Sequence, residues 1–172
     1  MRPAASAGLT AVLLGLLAVG PEASASQSPA QSWRPYYGDY TTRSALDTLS
    51  VRRVGDSTTA QEIVVGMNGP LRGSQGEFDY VIIDVAYDCA AVTSRSMHAR
   101  FFRRDGSMIW EEELGTPPRS LANSSPFNHF RAWLCGEQVG QPDPGGLPDV
   151  ASFLNEAVRW MRVAPDAPAA PQ

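Results

Sequence analysis

Apolar and polar side chains alternate through the middle of the chain, in residues 78–135. Between positions 79 and 89, every second side chain belongs to one set, which is apolar from Val81 onward. The intervening set becomes acidic toward its end, at Asp84 and Asp88. Alternation with a period of two residues is typical of a β-strand with one covered face. The pattern therefore predicts a central strand over 79–89.

A hairpin is predicted directly after this strand. Residues 93–104 alternate again, and the dipeptide Asp105-Gly106 follows them. Asp-Gly favours a two-residue type I′ turn, because that turn needs positive φ at both central residues. A loop of these two residues pairs Phe101 with Trp110 on the core face, Arg100 with Glu111 on the other face, and Arg103 with Met108.

Three strands are predicted before the central one. Residues 33–40 are dense in aromatic side chains, and Pro35 limits this segment to an edge strand. Its rings are expected to pack onto the sheet, and a sugar- or ligand-stacking platform is the alternative. Residues 46–54 and 59–65 are predicted to be two strands joined by a turn around Gly55.

Two segments after the sheet have helical spacing. The first begins at Ser124 or Ser125 as N-cap and ends at Cys135, with Gly136 as C-cap. The second covers 149–162, and its apolar positions recur three and four residues apart. They are Val150, Phe153, Leu154, Ala157, Val158 and Met161, after Asp149 as N-cap. Because isolated helices of this length are marginal in water, we expect it to pack on its own domain or to complete a homodimer. Docking on another partner or on a membrane is the alternative.

The first 25 residues have the pattern of a secretory signal peptide. Arg2 supplies a positive charge, residues 9–19 are apolar, and Ala23-Ser24-Ala25 offers the small residues of a cleavage site. The apolar stretch is too short to span a bilayer comfortably. No cysteine follows the cleavage region, so no lipid anchor is expected. The mature protein is predicted to be periplasmic or secreted.

The predicted export bears on the oxidation state of the two cysteines, Cys89 and Cys135. Because the periplasm and the cell exterior are oxidising, we predict a disulfide between them. Two free buried thiols are the alternative. A redox-active pair is disfavoured, since the C-x-x-C spacing that lowers a thiol pKa is missing.

Length and charge bound the remaining possibilities. The 172 residues suffice for one domain with a core, and the net charge is −4 with an isoelectric point near 5.1. No basic cluster indicates nucleic-acid binding. The predicted segments are a signal peptide at 1–25, a domain at 26–136, a Gly/Pro-rich linker at 137–148, an amphipathic helix at 149–162 and a disordered tail at 163–172.

No set of residues in the sequence amounts to an active site. Ser96, His98 and Asp84 suggest a Ser-His-Asp arrangement, yet no G-x-S-x-G motif accompanies them. The glutamates at 111–113 alternate between strand faces and cannot converge on one metal ion. Nucleotide-binding fingerprints are missing as well. We therefore predict no catalytic residue, no metal and no cofactor.

Four polar residues are candidates for binding a small ligand on the open face of the sheet. They are Asp84, Asp88, His98 and Arg100. All four are expected to point away from the core face if the adjacent strands pair in the expected register.

A series of spaced motifs runs from Trp33 to Cys135. They are the run Asp47-Thr48-Leu49-Ser50-Val51-Arg52-Arg53-Val54-Gly55, the strand end Tyr87-Asp88-Cys89, then Arg95, Phe101-Phe102, Asp105-Gly106 and Pro117-Pro118-Arg119-Ser120. In order and spacing this part of the chain resembles the surface-adhesin protein E family of exported bacterial domains.

The resemblance implies an antiparallel sheet with a helix tethered to its concave face by a disulfide. It also implies a non-enzymatic surface protein, since the family's namesake is an adhesin that binds host matrix proteins and forms dimers. This chain differs from that adhesin in lacking a lipid-anchor cysteine and in adding a linker and a second helix after Cys135. No ligand-binding residue carries over from the family.

The predicted fold is α+β: an antiparallel sheet of about six strands, a disulfide-tethered helix on one face and an extra C-terminal helix. The predicted function is that of an exported, non-enzymatic envelope or secreted protein that binds a protein or envelope partner. The alternative is a small-ligand carrier or a hydrolase that uses the open sheet face.

Overall fold

A computed structural model describes residues 30–39, 41–55, 57–136 and 138–163. The predicted signal peptide and the predicted tail beyond residue 163 lie outside the described residues. The elements are β1 (Trp33–Gly38), β2 (Thr42–Val54), β3 (Ser57–Gly66), β4 (Leu71–Gly73), β5 (Gly76–Phe78), β6 (Tyr80–Asp88), β7 (Thr93–Phe102), β8 (Met108–Glu113), β9 (Arg119–Ser120), α1 (Ser125–Cys135) and α2 (Val150–Val163).

The strands form one antiparallel sheet in the order β1-β2-β3-β6-β7-β8. The short strand β9 pairs with the first part of β7, and β8 pairs with the last part. The strands β4 and β5 form a separate hairpin. The predicted α+β class is confirmed, and the described residues contain six strands in the main path of the sheet and two helices. In the described part of the chain, no helix is long and apolar enough to cross a membrane.

The helix α1 covers one face of the sheet. It begins where predicted, because the side chain of Ser124 accepts a hydrogen bond from the backbone N–H of Phe127. Its apolar side chains pack against the alternating positions of β2, β3 and β6; the buried members of this cluster are Leu46, Val51, Ala60, Val85, Tyr87, Leu121, Phe127, Phe130 and Leu134. The apolar positions at the end of β6, Val85 and Tyr87, thus pack under this helix.

The predicted disulfide between Cys89 and Cys135 is confirmed. The two Cα atoms are 5.7 Å apart, within the usual range for a disulfide. Cys89 follows β6 on the side that faces α1, and Cys135 is the last residue of that helix. The bond therefore fastens the end of α1 to the sheet.

The second helix packs on the opposite face of the same sheet. Asp149 caps it, since its side chain accepts a hydrogen bond from the backbone N–H of Ser152 (2.6 Å). The side chain of Phe153 is fully buried, and Leu154 and Ala157 are also buried. They contact a cluster formed by Trp33, Ala45, Ile63, Val65, Met67, Tyr80 and Ile82. The part of the apolar stripe formed by Phe153, Leu154 and Ala157 is thus covered by its own chain.

The predicted linker is held to the edge of the sheet by Asp143, whose side chain is buried. Arg34 Nη1 donates to Asp143 Oδ2 (2.5 Å), and the backbone N–H of Asp143 donates to Ser32 Oγ (3.0 Å) and Thr48 Oγ1 (3.1 Å). Leu147 forms a β-bridge with Trp33. These contacts position the start of α2.

The turn after β7 differs from the predicted two-residue loop. The backbone N–H of Arg103 donates to the carbonyl of Ser107 (2.9 Å), so three residues form the loop. Within it only Gly106 has a positive φ, +89°. Asp105 stays outside the left-handed region, because its carboxylate accepts hydrogen bonds from the backbone N–H and the hydroxyl of Ser107 (2.9 and 2.6 Å).

A bulge in β8 compensates for the longer loop. The register shifts by one residue between Phe101 and Phe102. Phe101 therefore still pairs with Trp110, with the rings stacked at 4.5 Å, and Arg100 still pairs with Glu111, as predicted. Met108 pairs with Phe102 and not with Arg103, so that part of the predicted register is wrong.

Candidate functional site

The helix α2 leaves part of its sheet face open, and a depression of about 610 Å³ lies there. Strands β3, β6, β7 and β8 supply most of its lining. The residues around it are Ser50, Thr59, Ala60, Gln61, Asp84, Met97, His98 and Glu113. This is the open sheet face on which the sequence predicted a ligand site.

Asp84 is at the centre of the polar side chains in this depression. It accepts a hydrogen bond from Gln61 Nε2 (3.0 Å). His98 Nδ1 lies 3.4 Å from Asp84 Oδ2, and Arg100 Nη2 lies 3.4 Å from Asp84 Oδ1. The pairing of Asp84 with His98 across β6 and β7 produces this arrangement. The structure therefore brings together three of the four predicted site residues.

A bulge at Met97 determines which side chains face the depression. Asp84 pairs with His98 whereas Val85 pairs with Ser96, so Met97 has no partner on β6. Because Val85 packs under α1, Ser96 shares the covered face of the sheet, opposite His98. The Ser-His-Asp arrangement considered from the sequence is therefore not formed.

Asp88 does not join this cluster. Its Oδ1 accepts hydrogen bonds from the backbone N–H groups of Ala90 (3.0 Å) and Ala91 (2.8 Å). These bonds close the turn between β6 and β7, which is a common role for an aspartate at the end of a strand. The side chain of Asp88 is thus used locally, four residues further along β6 than Asp84.

Carboxylates outnumber cations around the depression. The second ring nitrogen of His98 lies 3.5 Å from Glu111 Oε2, and Glu113 pairs with His98 across β7 and β8. Three carboxylates, on Asp84, Glu111 and Glu113, thus lie around His98 and the guanidinium of Arg100. The side chains of Asp84, His98 and Arg100 are between a fifth and a third exposed, so an incoming group can reach them. The arrangement is suited to a cationic group.

No three His, Cys, Asp or Glu side chains among the residues that the structure describes are grouped so as to hold a metal ion. The cluster at Asp84 is organised by donors, from Gln61, His98 and Arg100, and not by convergent ligands.

A second polar cluster lies beneath α1, and the sequence analysis missed it. The carboxylate of Glu62 accepts hydrogen bonds from the hydroxyls of Tyr36 (3.0 Å) and Tyr87. A cavity of about 90 Å³ adjoins it, also lined by Ser94 and Arg119. Burial raises the pKa of both phenols well above their usual range, and the nearby Glu62 carboxylate raises it further.

One signal for this cluster is present in the sequence. Glu62 lies between Ala60 and Val64, so strand alternation places a charged side chain on the face of β3 that α1 covers. A carboxylate on a covered face needs hydrogen-bond partners, and the two tyrosines provide them. Their position under α1 depends on long-range packing.

The free energy of unfolding is expected to fall above about pH 10 because of these tyrosines. Their folded pKa is raised above the unfolded value, so the stabilisation is complete below about pH 10 and is lost as the pH rises further, by up to about 1.4 kcal/mol per pH unit for each group. Urea unfolding between about pH 9 and about pH 11 measures this slope. Tyr87→Phe should flatten it; identical slopes for the two proteins would contradict the assignment.

Comparison with known proteins found no matching family model, no matching curated protein and no matching solved structure. The resemblance to the surface-adhesin protein E family, and the homodimer that it implies, therefore stay predictions.

Proposed function

We propose that this chain is an exported, non-enzymatic envelope or secreted protein with an adhesin E-like domain. It acts by binding a protein or envelope partner. The observation that carries the proposal is the open depression centred on Asp84, in which three carboxylates lie around His98 and the guanidinium of Arg100. A protruding lysine or arginine of a partner fits this charge distribution.

Two further observations support the proposal. A disulfide between β6 and α1 is typical of proteins that mature in an oxidising compartment, which agrees with export to the periplasm or the exterior. Both ring nitrogens of His98 face carboxylates, while Ser96 lies on the other face of the sheet. Ser50 lies in the same depression, but its hydroxyl donates to the carbonyl of Asp47 (2.7 Å), and the contacts of His98 are to carboxylates. This arrangement favours binding over hydrolysis.

Affinity capture from envelope and secreted material tests the proposal. We expect the full chain to retain a partner that the double variant Asp84→Asn/Glu113→Gln loses by about tenfold or more, the usual scale for a hydrogen bond to a charged group. Glu77→Gln is the matched control, because it removes an exposed carboxylate on the separate β4–β5 hairpin. Equal capture by the wild-type protein and the double variant would contradict a role for the depression.

The alternative function is that of a small-ligand carrier or a hydrolase on the same face. The volume of about 610 Å³ favours it, because ligand sites commonly have volumes of about 300–1,000 Å³. An assay with ester and amide substrates distinguishes the two functions. Hydrolysis by the wild-type protein that His98→Ala abolishes would overturn the non-enzymatic proposal.

A further inference from the structure

A second groove, of about 410 Å³, lies at the outer edge of β1, between the two helices. It opens at the β1 edge of the sheet, whereas β3, β6, β7 and β8 supply most of the depression at Asp84, and the function proposed above does not use it. Tyr37 from β1, Arg43 from β2, His129 from α1 and Trp160 from α2 line it. Its volume is within the range of about 300–1,000 Å³ that is usual for small-molecule sites.

The guanidinium of Arg43 lies in this groove, and its Nε has no hydrogen-bonding partner among the described residues. Its Cζ lies 4.7 Å from the centroid of the Trp160 ring. Its Nε is buried and makes no hydrogen bond, and no carboxylate among the described residues lies within ion-pair distance of it. Glu156, the carboxylate that acts on Arg43 through space, pairs with Arg159 instead (3.9 Å).

The backbone beside Arg43 keeps the side chain in this position. A Cβ at Gly38 would lie 3.2–3.4 Å from Cγ, Cδ and Nε of Arg43, so the lack of a side chain there allows the close approach. An arginine that is stacked on an indole and packed on the backbone has a fixed fork of donors. Such a fork matches the geometry of a carboxylate or phosphate.

Arg34 on the neighbouring strand β1 is stacked on an indole in the same way and has an anionic partner. Its Cζ lies 5.1 Å from the Trp133 ring, and its Nη1 binds the carboxylate of Asp143 at 2.5 Å. Arg43 has the same stacking on an indole, but none of the described carboxylates lies within ion-pair distance of it. The comparison indicates that the groove accepts an anionic group from outside the chain.

An aromatic side chain next to Arg43 is available to the same ligand. Tyr37 is 47% exposed, although it lies in a strand next to a core that buries Trp33 completely. Its hydroxyl donates to Asp39 Oδ2 (2.8 Å), which fixes the hydroxyl end of this exposed ring. An exposed aromatic face can stack against the C–H face of a sugar ring, while the sugar hydroxyls stay in water.

We propose that this groove binds a sugar that carries a carboxylate. The carboxylate binds the guanidinium of Arg43, and the sugar ring stacks on Tyr37. This proposal goes beyond the partner-binding role of the depression. It concerns another surface, and its ligand is anionic, whereas the depression is suited to a cationic group. The aromatic segment 33–40 then has two functions: Trp33 belongs to the core, and Tyr37 serves as the stacking platform.

Titration of the full chain with D-glucuronate tests the proposal, with D-glucose and acetate as probes that lack the charge or the ring. NMR follows the indole N–H of Trp160, assigned with Trp160→Phe, and calorimetry gives the affinities. We expect glucuronate to shift the Trp160 signal and to bind at least about tenfold more tightly than glucose or acetate. No binding of glucuronate, or binding no tighter than that of acetate or of glucose, would overturn the proposal.

Variants locate the ligand. Arg43→Gln and Tyr37→Ala should each weaken glucuronate binding by about tenfold or more, and Arg72→Gln, on the distant β4–β5 hairpin, should leave it unchanged. Thermal melting checks that each variant folds. If Arg43→Gln does not fold, Tyr37→Ala carries the test, because Tyr37 is exposed. Unchanged binding by the folded variants would place the ligand elsewhere and refute the assignment.

Discussion

Replacing both cysteines with alanine will lower the free energy of unfolding by about 4 kcal/mol. The disulfide joins residues 46 positions apart, and a cross-link over that distance removes conformational entropy from the unfolded chain. In the folded state it also fastens the end of α1, which supplies Phe127, Phe130 and Leu134 to the core. Few other substitutions in the chain are expected to have an effect of this size.

Urea unfolding of Cys89→Ala/Cys135→Ala beside the wild-type protein measures this loss. Reduction by dithiothreitol is the control: it should destabilise the wild-type protein by a similar amount and leave the double variant unchanged. A loss below about 1 kcal/mol would contradict the expectation. Two alkylatable thiols in protein isolated from the envelope would equally contradict it.

Replacing Phe153 with aspartate will unfold the protein or lower its free energy of unfolding by more than about 4 kcal/mol. The side chain of Phe153 is fully buried between α2 and the sheet. Truncating a buried phenylalanine to alanine already costs about 3–5 kcal/mol, and the aspartate adds a buried charge without a partner. The loss should appear in both thermal and urea unfolding.

Asn155→Asp is the matched control for this substitution. It introduces the same charge into the same helix, at a position exposed to solvent, and should change the free energy of unfolding by less than about 0.5 kcal/mol. Truncation after Gly136 removes α2 altogether and should destabilise the sheet. Equal melting temperatures for the Phe153 and Asn155 variants, or a truncated chain as stable as the full one, would show that α2 does not belong to the core.

Local patterns in the sequence predicted the sheet and both helices. The alternation around Val81 predicts a strand. The serine before Phe127 predicts the start of a helix, and the apolar stripe at Phe153 predicts a helix with one covered face. The disulfide was predicted because the sequence has only two cysteines and its first 25 residues have the pattern of an export signal. The fold class could therefore be predicted without tertiary information.

The details that shape the two sites depend on contacts that no local pattern determines. The bulge at Met97 places His98 on the face of the depression. The hydrogen bond from the serine after Gly106 to Asp105 sets the length of the hairpin loop. Asp88 is predicted from the sequence to line the depression. Its carboxylate instead accepts hydrogen bonds from backbone N–H groups of the turn that follows β6. The position of Arg43 depends on α2, more than a hundred residues later, which supplies the indole on which it stacks.

We propose that the depression around Asp84 is the surface that recognises a partner. Hydrogen exchange of the chain, alone and in complex with the captured partner, tests this proposal. We expect increased protection of backbone amides in 59–61 of β3 and 97–100 of β7, which border the depression. Protection confined to β1, to α1 or to the β4–β5 hairpin, with 97–100 unchanged, would contradict it.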